Sequence, residues 1–219
     1  MGLTDPLFLW HTMFVTLKDQ LHPLSLLFGE LIMSYLPEVL PHYHINMTQE
    51  LPVETFFKYG FYKIADAVLK PKKRFEKNPK VNPIEYRFVP GLEKQYKLYR
   101  ELIYILAIDG KVAKIGGTFT GMKKRHGSYN CGTRKARKRG TCSVTNYNIT
   151  ESQYAAILDG KSVEWYAFDV PPAEVIINVW GEEMTYIAKT YYKYESVLCE
   201  KYRQMTGHYP PLSTNSGVE

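Results

Sequence analysis

Apolar residues occupy every position from Ile103 to Ile108, and the two residues that follow are Asp109 and Gly110. A short, continuous apolar run is typical of a strand that is covered on both faces. An Asp-Gly pair directly after such a run indicates a β-hairpin. The sequence therefore predicts two antiparallel strands that are joined at this pair.

The register of this hairpin decides whether Tyr104 and Lys114 can act together. With a two-residue loop, Tyr104 opposes Ile115, and Lys114 points to the other face of the sheet. With a three-residue loop from Ile108 to Gly110, Tyr104 lies opposite Lys114, and the glycine takes the left-handed conformation of a bulged turn. We predict the bulged turn.

Helical periodicity, capping residues and prolines predict the remaining elements. An N-terminal helical region spans residues 1–95. It contains helices from Asp5 to about Gln20, from Pro23 to before Pro37 and from Pro52 through Val68, followed by a basic loop at 70–83. A further short helix between Gly91 and Glu101 leads into the first strand of the hairpin. A second region spans residues 96–219 and begins with the hairpin. Two helices follow the hairpin: one over Met122–His126, capped by Thr118 or Thr120, and one that Thr150 caps and that ends at Asp159-Gly160. The remaining predicted elements are strands at Val163–Val170 and Ile176–Val179 and a long helix from Thr185 to Met205.

Positive charge is concentrated around the hairpin and the segment that follows it. The 219-residue chain has 28 Lys and Arg against 22 Asp and Glu, which gives a net charge of +6. Ten of the basic residues and none of the acidic ones fall between Lys111 and Gly140, so the rest of the chain has a net charge of −4. Such a cluster is typical of a protein that binds a polyanion. A solvated basic face or a disordered basic loop is the alternative.

The cysteines and the apolar runs indicate the compartment. Three cysteines without the spacing of a disulfide framework predict reduced thiols and a cytoplasmic protein. Cys131 and Cys142 lack the further ligands of a structural zinc site, so packed thiols are the favoured interpretation. The N-terminus does not resemble a signal peptide, and the longest apolar run, Leu24–Leu36, is too short to cross a bilayer. We expect a soluble protein.

Four residues with side chains suited to phosphodiester hydrolysis follow one another in the order Tyr104, Lys114, Arg125 and Glu195. The first three are separated by ten and then eleven residues, and the segments IYIL at 103–106, KIG at 114–116 and SYNCG at 128–132 accompany them. In these features the chain resembles the GIY-YIG nuclease superfamily, and within it the type II restriction endonucleases with KIG in place of YIG. The resemblance covers residues 100 to 215 and implies an α+β fold (an α/β sandwich), with a small central antiparallel three-stranded sheet that helices flank.

The sequence departs from this family at two positions besides the lysine of KIG. Ile103 precedes Tyr104, where the first motif of the family has glycine. Gly117 stands where the nearest pattern has a polar residue. The second departure leaves open whether a contact to substrate or water is missing.

The resemblance implies a role for each of the four residues. Tyr104 is the general base, and Lys114 assists it, because a tyrosine with a pKa of ~10 is a poor base at neutral pH unless a cation lowers that pKa. Arg125 binds the scissile phosphate and stabilises developing charge. Glu195 is the metal ligand and holds one divalent ion, Mg²⁺ with Mn²⁺ as a substitute.

The expected function is that of a type II restriction endonuclease, which cuts double-stranded DNA at a short palindrome as a homodimer and has a cognate methyltransferase in the host. A non-specific, repair-type or homing-type nuclease and a catalytically silent DNA-binding module on the same fold are the alternatives. Residues 1–95 would dimerise or contact DNA. Residues 128–147, which we call the basic excursion, would contact DNA as well. Second-tier site residues are His126, Tyr129 and Asn130, and the residues predicted to bind DNA are Lys123, Lys124, Arg134, Lys135, Arg137, Lys138, Arg139, Asn146, Lys72, Lys73 and Arg74.

Overall fold

The computed structural model of the chain describes residues 50–71 and 81–213, all of which belong to one compact unit comprising residues 45–219. The two helices predicted before Pro37 lie outside the described residues. The same holds for Lys72, Lys73 and Arg74 of the basic loop and for the side chain of Arg134. Within the described residues, no helix is long and apolar enough to cross a membrane.

Five antiparallel strands form the central sheet. In chain order they are β1 (Tyr62–Leu69), β2 (Ile84–Phe88), β3 (Leu102–Ile108), β4 (Lys111–Thr118) and β5 (Val163–Asp169). Their order across the sheet is β2-β1-β5-β3-β4. The three predicted strands correspond to β3, β4 and β5. The α+β class is confirmed, but the expected size of three strands is wrong, because β1 and β2 extend the sheet to five.

The helix predicted from Pro52 through Val68 is wrong. A 3-10 helix covers Val53–Tyr59, and Gly60 ends it in the left-handed conformation with a φ of 88°. The chain then enters β1, in which Ile64 and Ala65 are fully buried. The apolar residues with helical spacing therefore belong to two different elements on either side of Gly60. The second element is a strand because it pairs with β2 and β5. The sheet consequently includes residues on both sides of the boundary expected at residue 95.

Five α-helices surround the sheet within the described residues: α1 (Glu93–Lys97), α2 (Gly121–Tyr129), α3 (Arg134–Lys138), α4 (Val144–Leu158) and α5 (Tyr191–Thr206). Thr120 precedes α2, although its side chain makes no capping hydrogen bond. Thr150 does not cap α4, because the helix starts earlier and the Ser143 side chain accepts a hydrogen bond from the backbone N–H of Asn146. The α1 helix lies within the predicted range Gly91–Glu101.

A separate two-stranded sheet precedes α5. It consists of β6 (Ala173–Val179) and β7 (Glu182–Ala188), which pair as a hairpin. The short strand predicted at Ile176–Val179 is part of β6. The long helix predicted from Thr185 starts six residues later than expected, at Tyr191, because β-branched and aromatic residues of 182–188 pair with β6.

The hydrophobic core lies on both faces of the central sheet. On one face, Tyr104 and Leu106 of β3 pack with Trp165 of β5 and with residues of α2 and α4. On the other face, Ile103 and Ile105 pack with residues of α5. Alternate residues of β3 point to opposite faces, and both faces are covered, so every residue of the strand from Leu102 to Ala107 is buried, including Tyr104.

Candidate active site

The β3–β4 hairpin has a two-residue turn. Ile108 pairs with Lys111, and both turn residues have positive φ, 52° at Asp109 and 72° at Gly110. These angles are those of the primed turns that match the twist of the flanking strands. The predicted three-residue loop is therefore wrong.

A bulge in β4 nevertheless brings Tyr104 and Lys114 to one face of the sheet. Leu106 pairs with Lys114, whereas the next residue, Ala107, pairs with Val112, so β4 contains one extra residue. The shift places Tyr104 opposite Gly116, not opposite Lys114 as predicted. Because Lys114 opposes Leu106, and Tyr104 lies two residues from Leu106 on the same strand, the two side chains share a face.

The glycine of KIG makes room for Tyr104. A Cβ atom at Gly116 would collide with the Tyr104 hydroxyl group and ring. The tyrosine ring therefore lies over β4 at this glycine, and its hydroxyl group contacts Arg125 of α2.

Tyr104, Tyr129 and Arg125 form a hydrogen-bonded cluster. The Tyr104 and Tyr129 hydroxyl oxygens are 2.7 Å apart. The Arg125 Nε donates to both hydroxyl groups, over 2.9 Å to Tyr104 and 3.1 Å to Tyr129. The guanidinium also lies over the Tyr129 ring, 4.7 Å from its centroid. Positions 125 and 129 are one helical turn apart on α2, so one helix face presents both side chains to Tyr104.

Burial dominates the electrostatics of Tyr104. The side chain is fully buried, and this burial together with the neighbouring Tyr129 raises the pKa of Tyr104 well above its usual value. The Arg125 guanidinium lowers that pKa. Among the described residues, Arg125 is thus the cation that forms a hydrogen bond with the Tyr104 hydroxyl. The sequence analysis predicted that Lys114 would lower the pKa of Tyr104.

Lys114 is a buried lysine near the edge of the sheet. Its Nζ donates to the carbonyl oxygen of Leu212 over 3.1 Å. Burial lowers the pKa of Lys114, the nearby Arg125 lowers it further, and Glu195 raises it. The ammonium group is therefore in a site that favours loss of its proton more than bulk water does.

Glu195 approaches the same cluster from α5. The backbone N–H of Gly117 donates a hydrogen bond to its carboxylate. Burial raises the pKa of Glu195, while Lys114, this hydrogen bond and Arg125 lower it. A Cβ at Gly117 would lie 2.8 Å from the Glu195 Oε2 and 2.5 Å from a ring carbon of Tyr191. The departure from the family pattern at position 117 therefore lets α5 pack directly on β4.

The donor set at Glu195 suits a hard divalent ion that also binds substrate. No group of three or more His, Cys, Asp or Glu side chains that could hold a metal occurs in the described part of the chain. Mg²⁺ usually takes one or two carboxylates and keeps waters and phosphate oxygens as its other ligands. The single half-buried carboxylate of Glu195 fits that arrangement.

Two of the second-tier residues lie in the core or in the cluster, and the third is exposed. His126 is buried, its Nδ1 lies 2.9 Å from the Tyr96 hydroxyl, and its ring stacks on Tyr86 at 3.8 Å. Burial and the adjacent Arg125 lower the pKa of His126 well below its usual value. Tyr129 belongs to the cluster with Tyr104, and Asn130 is exposed just after α2.

The basic excursion folds as a helical loop. Asn146 is part of its support, since its Nδ2 donates to the carbonyl oxygen of Ser128 over 3.2 Å. All three cysteines are free thiols, and the sulfur atoms of Cys131 and Cys142 are 3.5 Å apart. Of the residues predicted to bind DNA, Lys135 is half-buried and the exposed ones are Lys123, Lys124, Arg137, Lys138 and Arg139.

Solved structures that are similar to this chain include two nucleases. Restriction endonuclease HPY188I in complex with product DNA has a TM-score of 0.48 and 28% sequence identity, over 82% of this chain and 100% of that chain. A mutant of bacteriophage T4 EndoII has a TM-score of 0.47 and 21% identity, over 72% of this chain and 95% of that chain. No protein-family model and no curated protein sequence matches the chain. Both TM-scores are below one half.

Sequence reasoning missed how two residues support this site. Tyr191 packs on Gly117 beside Glu195. Glu101 accepts hydrogen bonds from the backbone N–H groups of Thr190 and Tyr191, over 2.9 and 3.0 Å, and so holds the start of α5 against the start of β3. The sequence contained a signal only for Tyr191, which precedes Glu195 by one helical turn.

Proposed function

We propose that this protein is a type II restriction endonuclease of the GIY-YIG superfamily, in the subgroup with KIG in place of YIG. It hydrolyses phosphodiester bonds of double-stranded DNA at a short palindromic site and depends on Mg²⁺. The convergence of Tyr104, Arg125 and Glu195 is the observation that carries this proposal. These residues come from a strand and two different helices, and they surround the Gly116-Gly117 pair.

In the proposed reaction, Tyr104 accepts the proton of the attacking water. Phosphodiester hydrolysis also requires stabilisation of the charge that develops on phosphorus-bound oxygens. Arg125 binds the scissile phosphate through its guanidinium, and its contact with the Tyr104 oxygen favours the deprotonated phenol. Lys114 lies on the same face and holds the attacking water or assists the proton transfer.

Glu195 would hold the divalent ion, which supplies Lewis-acid stabilisation of phosphate charge when it is bound. The Gly117 N–H orients the carboxylate, and burial limits its motion. Tyr129 keeps the Tyr104 hydroxyl and Arg125 in place through its own hydroxyl. The protein acts on DNA as a homodimer, because a symmetric site requires a matching two-fold axis.

The experiment compares wild-type protein with Tyr104→Phe on plasmid DNA in Mg²⁺ buffer. Wild-type protein should give discrete bands, and Tyr104→Phe should bind DNA but leave it uncut. The wild-type rate should rise as the pH increases above neutrality, since the raised pKa of Tyr104 keeps the phenol protonated at low pH. A smear from the wild-type protein supports a non-specific nuclease, and unchanged cutting by Tyr104→Phe removes Tyr104 from the reaction.

A DNA-binding module without catalytic activity is the second candidate. The full burial of Tyr104 favours it, because a general base has to reach the attacking water. Wild-type protein that shifts the plasmid and leaves it uncut with Mg²⁺ and with Mn²⁺ supports this candidate.

A further inference from the structure

Four aromatic side chains form a continuous strip beside the candidate active site. Ring centroids are 6.3 Å apart between Tyr99 and Phe119, 6.0 Å between Phe119 and Tyr191, and 5.9 Å between Tyr191 and Tyr192. We call these four residues the aromatic strip. Its two end residues are open to solvent, with 66% of Tyr99 and 53% of Tyr192 exposed.

Two lysines accompany the aromatic strip. The Lys189 Nζ lies 4.2 Å from the centroid of the Phe119 ring, and the Lys193 Nζ lies 5.6 Å from that of Tyr192. Both lysines are exposed. Exposed rings alternating with cationic groups are the combination that binds nucleic-acid strands, because the rings stack on bases and the cations attract phosphates.

The strip adjoins the residues proposed to act on the phosphate. Tyr191 packs on Gly117, one helical turn from Glu195 on α5. A DNA strand with a phosphate at Arg125 and Glu195 would therefore pass over Tyr191 with its neighbouring nucleotides. This path of the DNA strand rests on the proposed function, whereas the residues and distances of the aromatic strip are independent of it.

The exposed end rings indicate which kind of nucleotide the aromatic strip can bind. Tyr99 meets Phe119 at 80° and Tyr192 meets Tyr191 at 87°, so neither end ring stacks face to face on its neighbour in the strip. Their exposed surfaces are available to a flat partner. A base inside a duplex already has both of its faces stacked, and only an unpaired or extruded base can offer a face to a protein ring.

We propose that the aromatic strip, together with Lys189 and Lys193, binds unpaired nucleotides of the substrate strand next to the scissile phosphate by base stacking. The protein would then cut a strand that is locally unstacked at the active site. This surface lies outside the basic excursion, so the two would contact different parts of the DNA.

The test measures binding of a fluorescent oligothymidylate and of a fully paired duplex of equal length, by anisotropy in metal-free buffer. Tyr192→Leu and Tyr99→Leu should each weaken binding of the oligothymidylate about tenfold and that of the duplex by less than about twofold. Lys189→Gln should reduce the salt dependence of oligothymidylate binding by about 0.7 in the log–log slope. Phe57→Leu is the matched control, because it removes another aromatic side chain that is 42% exposed.

Photocrosslinking provides a second measurement that needs no variant. An iodouracil-substituted oligonucleotide should form adducts that map to Tyr99 or Tyr192. Adducts confined to the basic excursion, unchanged oligothymidylate binding by both Leu variants, or an equal loss of duplex binding would each overturn the proposal.

The binding assay contains no metal and measures no cleavage, so its result is independent of catalytic activity. A protein that binds the oligothymidylate through the strip but never cuts DNA would retain this inference and lose the proposed function. The reverse outcome, cutting without strip-dependent binding, would retain the proposed function alone.

Discussion

Gly116 and Gly117 leave space for side chains that pack on the same short segment of β4 from opposite faces of the sheet. Tyr104 occupies the space over Gly116, and Glu195 with Tyr191 occupies the space over Gly117. Neither space is available if the glycine carries a Cβ atom. The KIG motif predicts the first glycine, whereas the role of the second depends on the packing of α5 against β4.

Gly117→Ala should therefore abolish cleavage while the protein still binds DNA. The new Cβ would lie 2.8 Å from the Glu195 Oε2 and 2.5 Å from a Tyr191 ring carbon, so the Tyr191 ring and the Glu195 carboxylate have to shift away from β4. Plasmid cleavage and DNA binding are measured side by side. Cleavage should fall at least about a hundredfold, in line with the loss expected when a supporting contact displaces catalytic groups by ~1 Å.

Gly127→Ala is the control for this variant. Gly127 lies on α2, and a Cβ atom added there would meet no side chain or neighbouring element within 4 Å. Alanine within a helix is also more stable than glycine by roughly 0.5–1 kcal/mol. The Gly127→Ala protein should cut DNA at the wild-type rate. Normal cutting by Gly117→Ala would show that Glu195 does not need its position on β4.

At the scale of the element, α5 brings Glu195 to the site, and Glu101 determines where α5 begins. The Glu101 carboxylate accepts hydrogen bonds from two backbone N–H groups at the helix start, and a negative charge there also interacts favourably with the helix dipole. Since Glu101 directly precedes β3, this contact links the helix of Glu195 to the strand of Tyr104.

Replacing Glu101 should affect both the stability of the protein and the position of α5, and two measurements distinguish these effects. Glu101→Ala should lower the free energy of unfolding by about 1 kcal/mol, which is typical for the loss of a helix cap. It should also raise the Mg²⁺ concentration required for half-maximal cleavage, because α5 loses its anchor. Glu101→Gln keeps an acceptor oxygen and should recover most of the Mg²⁺ response; a Mg²⁺ response that is unchanged in Glu101→Ala would contradict the positioning role.

The elements also show which structural features the sequence can predict. The apolar run of β3 and the Asp109-Gly110 pair are local signals, and both predicted the hairpin correctly. The bulge in β4 has no such local signal, because the register of β4 is set by its neighbours β3 and residues 212–213. β1 was missed for the same reason, since its pairing with β2 and β5 overrides an apolar spacing that resembles a helix.

At the scale of the whole molecule, the basic residues and the exposed β6–β7 hairpin lie on different parts of the chain. Basic residues are concentrated between Lys111 and Gly140, whereas residues 171–188 of the β6–β7 hairpin contain three glutamates and no Lys or Arg. An acidic hairpin would repel DNA phosphates. One of its faces presents the cross-strand pairs Val175–Tyr186 and Ile177–Met184. An exposed apolar face of this kind is typical of a surface that contacts another protein.

We predict that this face joins two copies of the chain in the proposed homodimer, which leaves the basic surfaces free for DNA. Met184 is 53% exposed on that face, and the adjacent Thr185 is exposed on the opposite face.

Met184→Lys should convert the dimer into a monomer of 25.4 kDa in light scattering, while Thr185→Lys should remain dimeric. The monomer should nick plasmid DNA in one strand more readily than it cuts both strands, because a two-fold arrangement of active sites is needed to cut a palindrome on both strands at once. A wild-type monomer, or a Met184→Lys dimer, would exclude this face as the interface, and a wild-type monomer would also remove the homodimer from the proposed function.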